Sequence, residues 1–321
     1  MSSPERVYSY SAVLMGSPIL LKLFEDNPQA ASAVFRLIKQ LEDLLTVNRE
    51  HSQLMAVNHA AGQQPVVVSR PVFELIRRAK TVSLMENSCF NLTIGPLVKR
   101  WKIGFRGDAV PPQAEIQSLL PLTRPEQVIL DPQTCAVFLT QVGMEIDLGA
   151  IAKGYIADRV RDLLLQMDIH HALINLGGNV LTLGAPQHGH QTAWGIGLQK
   201  PFAAPDALIG TIEVAGKSVV TSGVYERYFE RDGKLYHHIL DPKTGYPLDN
   251  ELLSVTVISD DSIDGDIYTT LLYGMGVEKS LRYLTTVPHI EAIFVTRTGQ
   301  VILSSQRQFR FTLQDNDYHL V

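Results

Sequence analysis

The chain has 321 residues, of which 45% are apolar, and its formal net charge at pH 7 is −5. This apolar content supports a sizeable core and excludes a disordered chain, and the lack of a basic cluster argues against nucleic acid as a partner. No run of about eighteen apolar residues occurs, so the sequence predicts no membrane span and no membrane partner.

The first half of the chain predicts a hairpin followed by helices. Residues 7–24 predict a β-hairpin that turns near residues 16–18, and residues 46–65 are polar and irregular. Helices are predicted at 30–45, from Ser69-Arg70-Pro71 to about 86, and at 113–119. Short strands are predicted at 128–130 and 136–139, around an Asp131-Pro132 turn.

The second half is dominated by strand signals. They occur at 144–148, 172–176, 179–183, 194–199, 208–214, 224–230, 235–240, 254–259, 291–296 and 300–304. Helical periodicity is found only at 154–167 and 264–284. Because strands outnumber helices and several are joined by tight turns, the predicted fold class is α+β, with mostly antiparallel sheets and flanking helices.

The N-terminus bears on the cellular compartment. Glu5 and Arg6 cancel in charge, and the apolar stretch 12–24 is interrupted by residues 16–18 and by Lys22. A secretion signal needs a basic start and a continuous apolar segment. The sequence therefore predicts a cytoplasmic protein, provided that the chain starts at its native residue.

A first candidate site is the segment 144–158, which contains D-L-G-A-I-A-K-G at 147–154. A glycine-bounded loop that leads into a helix presents free N–H groups and partial positive charge, and Lys153 adds a full charge. This arrangement suits a pyrophosphate. An ordinary strand–turn–helix connection with an exposed lysine explains the segment equally well.

Two further motifs are ambiguous by themselves. The glycine pair in N-L-G-G-N, residues 175–179, allows close approach of a ligand, but it also suits a simple hairpin turn. His237 and His238 alternate across a predicted strand, so only one of them should face a cleft as a general base. A structural role is the alternative for either histidine.

The last candidate lies where a buried strand leads through an acidic loop into the final helix. Asp266 and Thr270 are four residues apart and therefore share one helix face. A carboxylate and a hydroxyl are hard oxygen ligands, which suit Mg²⁺ and not zinc. The alternative is an acidic cluster that only stabilises the helix N-terminus.

Together and in this order, the motifs resemble the ApbE family of FAD:protein FMN transferases. The likeness begins at Met-Gly-Ser, residues 15–17, and includes N-S-C-F-N-L-T-I-G-P-L-V-K-R-W at 87–101 and the two glycine motifs. It continues through T-S-G-V-Y-E-R-Y-F at 221–229 and H-I-L-D-P-K-T-G-Y-P at 238–247, and ends at Asp266 and Thr270. The resemblance implies a single flavin transferase domain over 1–321, with two lobes divided near 125–145.

The resemblance also implies an activity and the residues that carry it. The activity is Mg²⁺-dependent transfer of FMN from FAD, the substrate, to a threonine in a short motif of a target flavoprotein, with release of AMP. The implied metal ligands are Asp266, Thr270, Thr269 and the carbonyl of Ala150, and the implied residue beside the acceptor hydroxyl is His238. The residues implied to line the FAD pocket are Met15, Cys89, Phe90, Asn91, Asp147, Lys153 and Leu240.

This chain departs from the family pattern at two positions. Asn91 stands where the family has an aspartate, and Asn48 stands near a position that is often aromatic. Two other activities remain open: an FAD pyrophosphatase with water as acceptor, and a flavin-binding protein without catalysis. Release of FMN from FAD and Mg²⁺ in the absence of a partner would indicate the pyrophosphatase.

Overall fold

A computed structural model describes residues 6–321 of the chain, so Glu5 lies outside the described residues. The strands, in chain order, are β1 (Tyr8–Leu14), β2 (Ser17–Leu23), β3 (Val66–Val67), β4 (Val128–Asp131), β5 (Ala136–Leu139), β6 (Ala172–Leu176), β7 (Asn179–Leu183), β8 (Trp194–Gln199), β9 (Leu208–Val214), β10 (Ser218–Gly223), β11 (Tyr228–Arg231), β12 (Lys234–His237), β13 (Leu252–Ser259), β14 (Glu291–Thr296), β15 (Gln300–Leu303), β16 (Arg310–Leu313) and β17 (His319–Leu320). The helices are α1 (Pro28–Leu45), α2 (Gln53–His59), α3 (Arg70–Ser83), α4 (Gly95–Trp101), α5 (Gln113–Leu119), α6 (Ala152–Gln166) and α7 (Ser262–Leu284). Along residues 6–321, no helix is both long and apolar enough to cross a membrane.

The chain divides into two compact units, each assembled from separate stretches. The large-sheet unit comprises Met1–Leu41, described from residue 6 onward, with Lys153–Gly223 and Glu251–Val321. The small-sheet unit comprises Glu42–Ala152 and Val224–Asn250. The expected two lobes, with a division near 125–145, stay a prediction.

The large-sheet unit is built on a nine-stranded sheet. Its strand order is β1-β2-β6-β7-β10-β13-β14-β15-β17, and its neighbours are antiparallel except for β15 and β17. A second, antiparallel sheet has the order β16-β9-β8. One apolar cluster joins strands of both sheets, and its largest members are Trp194, Phe309 and Phe311. Alternate residues of both sheets therefore form this core.

The small-sheet unit combines short strands with four helices, α2 to α5. Its strands form a sheet of order β3-β5-β4 and a separate hairpin of β11 and β12. Trp101 anchors its apolar cluster, with Leu97, Ile116 and Leu240 among its neighbours. The indole Nε1 of Trp101 donates to the carbonyl of Gly245 at 2.7 Å, so the buried donor is satisfied.

The predicted α+β class with mostly antiparallel sheets is confirmed. The predicted strand at 144–148 is wrong, because this segment has no strand partner. The side-chain amide of Asn58 instead accepts from the N–H of Ile146 at 2.7 Å and donates to its carbonyl at 3.0 Å. One side chain thus satisfies the backbone groups that a neighbouring strand would otherwise pair.

Two other elements differ from the prediction. Helix α2 lies inside 46–65, which the sequence indicated as irregular, and a side-chain cap from Ser52 starts it. The predicted strand 224–230 is displaced: β10 ends at Gly223 and β11 begins at Tyr228. Strand β10 is buried but rich in Ser and Thr, so its hydrophobic signal is weak.

Candidate active site

The carboxylate of Asp266 lies buried in the first turns of α7 in the large-sheet unit. Asp266 is 8% exposed, and its Oδ2 accepts from the backbone N–H of Gly154 at 2.6 Å. Its Oδ1 accepts from the side-chain amide of Asn179 at 2.8 Å. Gly154 is the third residue of α6, where N–H groups have no partner inside the helix. The carboxylate therefore caps α6 and lies at the positive end of its dipole.

Glycine is required at position 154 by this close approach. A Cβ atom at Gly154 would clash with the carbonyl oxygen of Ser262 and would lie 2.8 Å from Asp266 Oδ2. Any larger residue would force α6 away from α7. The glycine of the predicted loop therefore has a packing role, which local spacing did not reveal.

Burial makes the negative charge of Asp266 costly. It raises the pKa of this carboxyl to about 7, although Asn179, Gly154 and the ammonium of Lys153 favour the ionised form. A buried carboxylate with incomplete compensation is stabilised by a cation. Each oxygen accepts one hydrogen bond from the protein and keeps lone-pair capacity for a metal ion.

The two threonines of this turn are held differently. Thr269 is buried, and its hydroxyl donates to the carbonyl of Asp266 at 3.1 Å while it accepts from Ser222 at 2.9 Å. The hydroxyl of Thr270 donates to the same carbonyl at 3.4 Å. Because its oxygen lone pairs are not used in that bond, Thr270 suits a hard cation better than Thr269 does.

These donors fit Mg²⁺. Within residues 6–321, no group of three or more His, Cys, Asp or Glu could hold a metal ion. A cation at Asp266 would therefore also need hydroxyl, carbonyl, water or substrate oxygens. Mg²⁺ commonly binds through one or two carboxylates together with waters and phosphates.

The hairpin of β1 and β2 brings Ser17, two residues after Met15, to Lys153. Met15 and Gly16 form its two-residue turn with positive φ angles of 53° and 63°. The next residue, Ser17, accepts from Lys153 Nζ at 3.3 Å. A Cβ atom at Gly177 would lie 2.8 Å from this Nζ. The glycine motif is therefore both a hairpin turn and a point of close approach.

In the small-sheet unit, Asn91 organises the loop that precedes α4. Its Oδ1 accepts from the N–H and the hydroxyl of Thr93, and its Nδ2 donates to the carbonyl of Thr123 at 2.9 Å. A carboxylate could not make this last bond, which accounts for an amide here. Phe90 is buried, and burial raises the pKa of the Cys89 thiol to about 11, so the thiol stays protonated at neutral pH.

Asp147 and Ala150 lie in the turn before α6. Asp147 Oδ1 accepts from the N–H of Gly149 at 2.7 Å, and burial raises the pKa of the carboxyl. The N–H groups of Ile151 and Ala152 both donate to the carbonyl of Leu148. The N–H of Gly154, which in a regular α-helix would pair with the carbonyl of Ala150, donates to Asp266.

The two adjacent histidines lie in different environments. His237 is buried, its Nε2 donates to the carbonyl of Leu248 at 2.7 Å, and its Nδ1 accepts from the N–H of Ile239. His238 donates through Nδ1 to the carbonyl of Arg227 at 3.2 Å and keeps 27% of its side chain exposed. This tautomer leaves Nε2 as a proton acceptor.

The pKa of His238 keeps the ring in its neutral form, in which only one nitrogen carries a proton. Burial and the positive charge of Arg227 lower this pKa to about 4, so the ring is neutral at physiological pH. Leu240, two residues on, belongs to the apolar cluster around Trp101 and pairs with Pro247 across a β-bridge.

The predicted site residues thus form two sets. The large-sheet unit contains Met15, Lys153, Asp266, Thr269 and Thr270, and the small-sheet unit contains Cys89, Phe90, Asn91, Asp147, Ala150, His238 and Leu240. Sequence reasoning did not identify Ser17 as a partner of Lys153 or Asn179 as a partner of Asp266. The last position of N-L-G-G-N was the available signal for Asn179.

The structure is that of an α+β protein in which a buried carboxylate, Asp266, and neighbouring hydroxyl oxygens lie where the N-termini of α6 and α7 meet. Among known protein families, the sequence model of the ApbE family matches residues 15–294 of this chain. The chain is 63% identical to an FAD:protein FMN transferase of Klebsiella pneumoniae over 99% of this chain and 98% of that protein. It is 37% identical to an FAD:protein FMN transferase of Treponema pallidum over 90% and 84% of the two chains.

Solved structures agree. An ApbE protein from Thermotoga maritima has a TM-score of 0.82 at 30% identity, covering 92% of this chain and 96% of that one. The apo flavinyl transferase ApbE of Pseudomonas stutzeri has a TM-score of 0.80 at 27% identity, covering 97% and 95%. The chain belongs to the ApbE family, as the sequence motifs predicted.

Proposed function

We propose that this protein transfers FMN from FAD to a threonine hydroxyl of a target flavoprotein, releases AMP and depends on Mg²⁺. The transfer of flavin is supported by the names of its relatives, which are FAD:protein FMN transferases. The observation that carries the proposal is the buried Asp266 carboxylate, which keeps lone pairs for a cation at the N-terminus of α6. A protein that only stores flavin does not need this arrangement.

Asp266 and Thr270 would hold the metal ion, and the resemblance adds Thr269 and the carbonyl of Ala150. When bound, Mg²⁺ would supply positive charge that neutralises pyrophosphate oxygens. Lys153 would bind a phosphate oxygen, because its ammonium lies beside the glycine turn and the first turn of α6. Met15, Cys89, Phe90, Asn91, Asp147 and Leu240 are proposed to line the flavin site.

His238 would take the proton from the acceptor threonine through Nε2, which lies 3.8 Å from the Glu226 carboxylate. The bond that forms joins the threonine oxygen to the phosphorus of the FMN half. The bond that breaks joins that phosphorus to the bridging oxygen, which leaves with AMP. The lowered pKa of His238 keeps the ring neutral and ready to accept a proton.

Co-expression with candidate flavoproteins, followed by intact-mass measurement, tests the proposal. We expect one added FMN on a threonine peptide, and no addition after this threonine is replaced by alanine. Transfer to another residue would contradict the hydroxyl acceptor. FAD and Mg²⁺ without a partner test the alternative activity, because a pyrophosphatase would release FMN and AMP with water as acceptor.

The predicted cytoplasmic location is part of the same proposal, since the acceptor must share the compartment. Cell fractionation with intact-mass measurement of the native protein tests it. We expect an uncleaved chain in the cytosolic fraction, and a processed N-terminus in an exported fraction would contradict this.

A further inference from the structure

Within the large-sheet unit, helices α6 and α7 cap each other's N-termini with a carboxylate. Asp266 of α7 accepts from the N–H of Gly154 in the first turn of α6. Asp158, four residues beyond Gly154, accepts in return from the N–H groups of Ser262 and Ile263 at 2.7 and 3.0 Å. Each helix is therefore capped by a carboxylate of the other helix. On each helix, the capping carboxylate lies one turn after the residue whose N–H is capped.

Asp158 supplies a cap that α7 does not provide itself. The residue before α7, Asp261, makes no side-chain capping bond to it. Ser262 and Ile263 are the first two residues of α7, where N–H groups need an external acceptor. Asp158 is only 3% exposed, so the two bonds to its carboxylate are made in a low-dielectric environment.

The geometry connects Asp158 to the position of Asp266. An α-helix is stiff over one turn, so two fixed N–H groups at its start determine where a residue four positions later lies. The contact of Gly154 with the carbonyl of Ser262 leaves no space for a shift of α7 toward α6. The hydrogen bonds of the two carboxylates and the close packing at Gly154 therefore together fix the position of the first turns of α7 relative to α6.

Arg161 adds a second connection on the outer side. Its guanidinium bonds to the Asp261 carboxylate at 2.9 Å and to the carbonyl of Asp260 at 3.1 Å. It also lies 3.6 Å from Asp158 Oδ1. These contacts bind the loop before α7, whereas the two backbone bonds of Asp158 act on the helix itself.

We propose that Asp158 is a positioning residue, which holds α7 so that the Asp266 carboxylate is oriented for a divalent cation. This inference rests on the metal site of the proposed function. Groups that orient a metal ligand without touching the metal typically contribute 10–100-fold to metal affinity. Because Asp158 acts through two backbone bonds, we expect an effect at the lower end of this range.

The test compares Asp158→Asn and Asp158→Ala with the control Asp162→Asn. Asp162 lies on the same helix, contacts the same Arg161 and bonds to no N–H of α7. The control therefore removes a negative charge beside Arg161 and leaves the cap intact. The asparagine variant at 158 keeps one acceptor oxygen, so it should fold even where the alanine variant does not.

The probe is Mn²⁺ alone, titrated into each folded variant below its melting transition and followed by the electron paramagnetic resonance signal of free Mn²⁺. We expect the Mn²⁺ dissociation constant to rise about tenfold in Asp158→Asn and further in Asp158→Ala, with less than about a twofold change in Asp162→Asn. The Mg²⁺ concentration for half-maximal transfer should rise in the same order, while the rate at saturating Mg²⁺ largely recovers.

A purely structural cap would lower the melting temperature but leave the Mn²⁺ dissociation constant of the folded protein unchanged, and that result would overturn the inference. The variant Asp266→Ala distinguishes failure of the Asp158 role from failure of the proposed metal site. If it loses Mn²⁺ while Asp158→Asn binds normally, only the role of Asp158 is wrong. If Asp266→Ala binds Mn²⁺ like the wild type, the proposed metal site fails, and the role of Asp158 fails with it.

Discussion

Asp266 in the large-sheet unit and His238 in the small-sheet unit differ in how tightly their side chains are held and how exposed they are. Both oxygens of Asp266 are hydrogen-bonded by neighbouring elements, and the residue is buried. His238 is held through Nδ1, keeps 27% of its side chain exposed, and has its Nε2 3.8 Å from the carboxylate of Glu226. These surroundings suit the roles proposed above, because a metal ligand must keep one orientation, whereas a base for a protein substrate must remain accessible.

The same contrast separates the adjacent residues His237 and His238. Both ring nitrogens of His237 are used in bonds to the backbone inside its unit. The Nε2 of His238 is left to accept a proton. Under the proposed function, His237 therefore contributes to stability and His238 to the chemistry, and a substitution at each position tests this division.

The largest effect is expected from Asp266→Ala. Loss of the proposed metal ligand should reduce FMN transfer by about 10³-fold or more, because a bound cation contributes several kcal/mol to charge stabilisation. FAD affinity measured in EDTA should change little. The control is Asp260→Ala, which removes an exposed carboxylate that pairs with Lys217 in the loop before α7. Normal turnover of the Asp266 variant at excess Mg²⁺ would refute the ligand assignment.

His238→Ala should reduce transfer by about 10²–10⁴-fold, the range for loss of a general base. His237→Ala should keep most of its activity while folded but lose about 1–3 kcal/mol of unfolding free energy, because the carbonyl of Leu248 loses the donor that the buried His237 ring supplies. Single-turnover transfer and urea unfolding measure the two effects. The opposite pattern would show that His237 faces the substrate.

Without metal, Asp266→Asn should stabilise the protein at high pH. The folded pKa of about 7 lies above the ordinary value of 3.8, so the folded state binds more protons in this window. The favourable contribution of the carboxyl is complete below about pH 4 and is lost as the pH rises through 7. The asparagine variant avoids this loss, and its advantage should grow to about 4 kcal/mol at pH 8.

Urea unfolding in EDTA near pH 4.5 and pH 8 measures this difference. Adding Mg²⁺ should reduce it, because the cation stabilises the ionised carboxylate of the wild type. A stability difference that does not depend on pH would mean that the carboxylate is ionised in the folded state without a cation.

The smallest expected effect concerns the pH profile of transfer. Because the pKa of His238 is lowered to about 4, its protonation should not reduce kcat near pH 6.5 at saturating FAD and Mg²⁺. Arg227→Gln removes the nearby positive charge, so the pH below which the transfer rate falls should rise by less than about one pH unit. Rates measured from pH 4 to 8 test this, and an unchanged pH profile in the variant would exclude an electrostatic role for Arg227.

Local pattern was sufficient for elements whose stability is local or whose apolar residues form a short continuous run. Helix α5 and strands β6 and β14 have the predicted bounds. Pattern failed where a distant side chain replaces regular pairing, as Asn58 does for Ile146 across 88 residues. It also failed for β10, because three of its six residues are Ser or Thr and its apolar run is therefore only two residues long.

For the site, the sequence by itself determined the chemical groups and the family: a carboxylate and a hydroxyl one turn apart, a lysine after a glycine loop, and two adjacent histidines. Only the tertiary structure decided which N–H groups Asp266 and Asp158 cap, which histidine keeps a free nitrogen, and which pKa values move. The bond from Gly154 to Asp266 joins residues 112 positions apart. Hydrogen bonds of that separation, and the burial that shifts a pKa, arise only when distant segments pack together, so no local spacing can specify them.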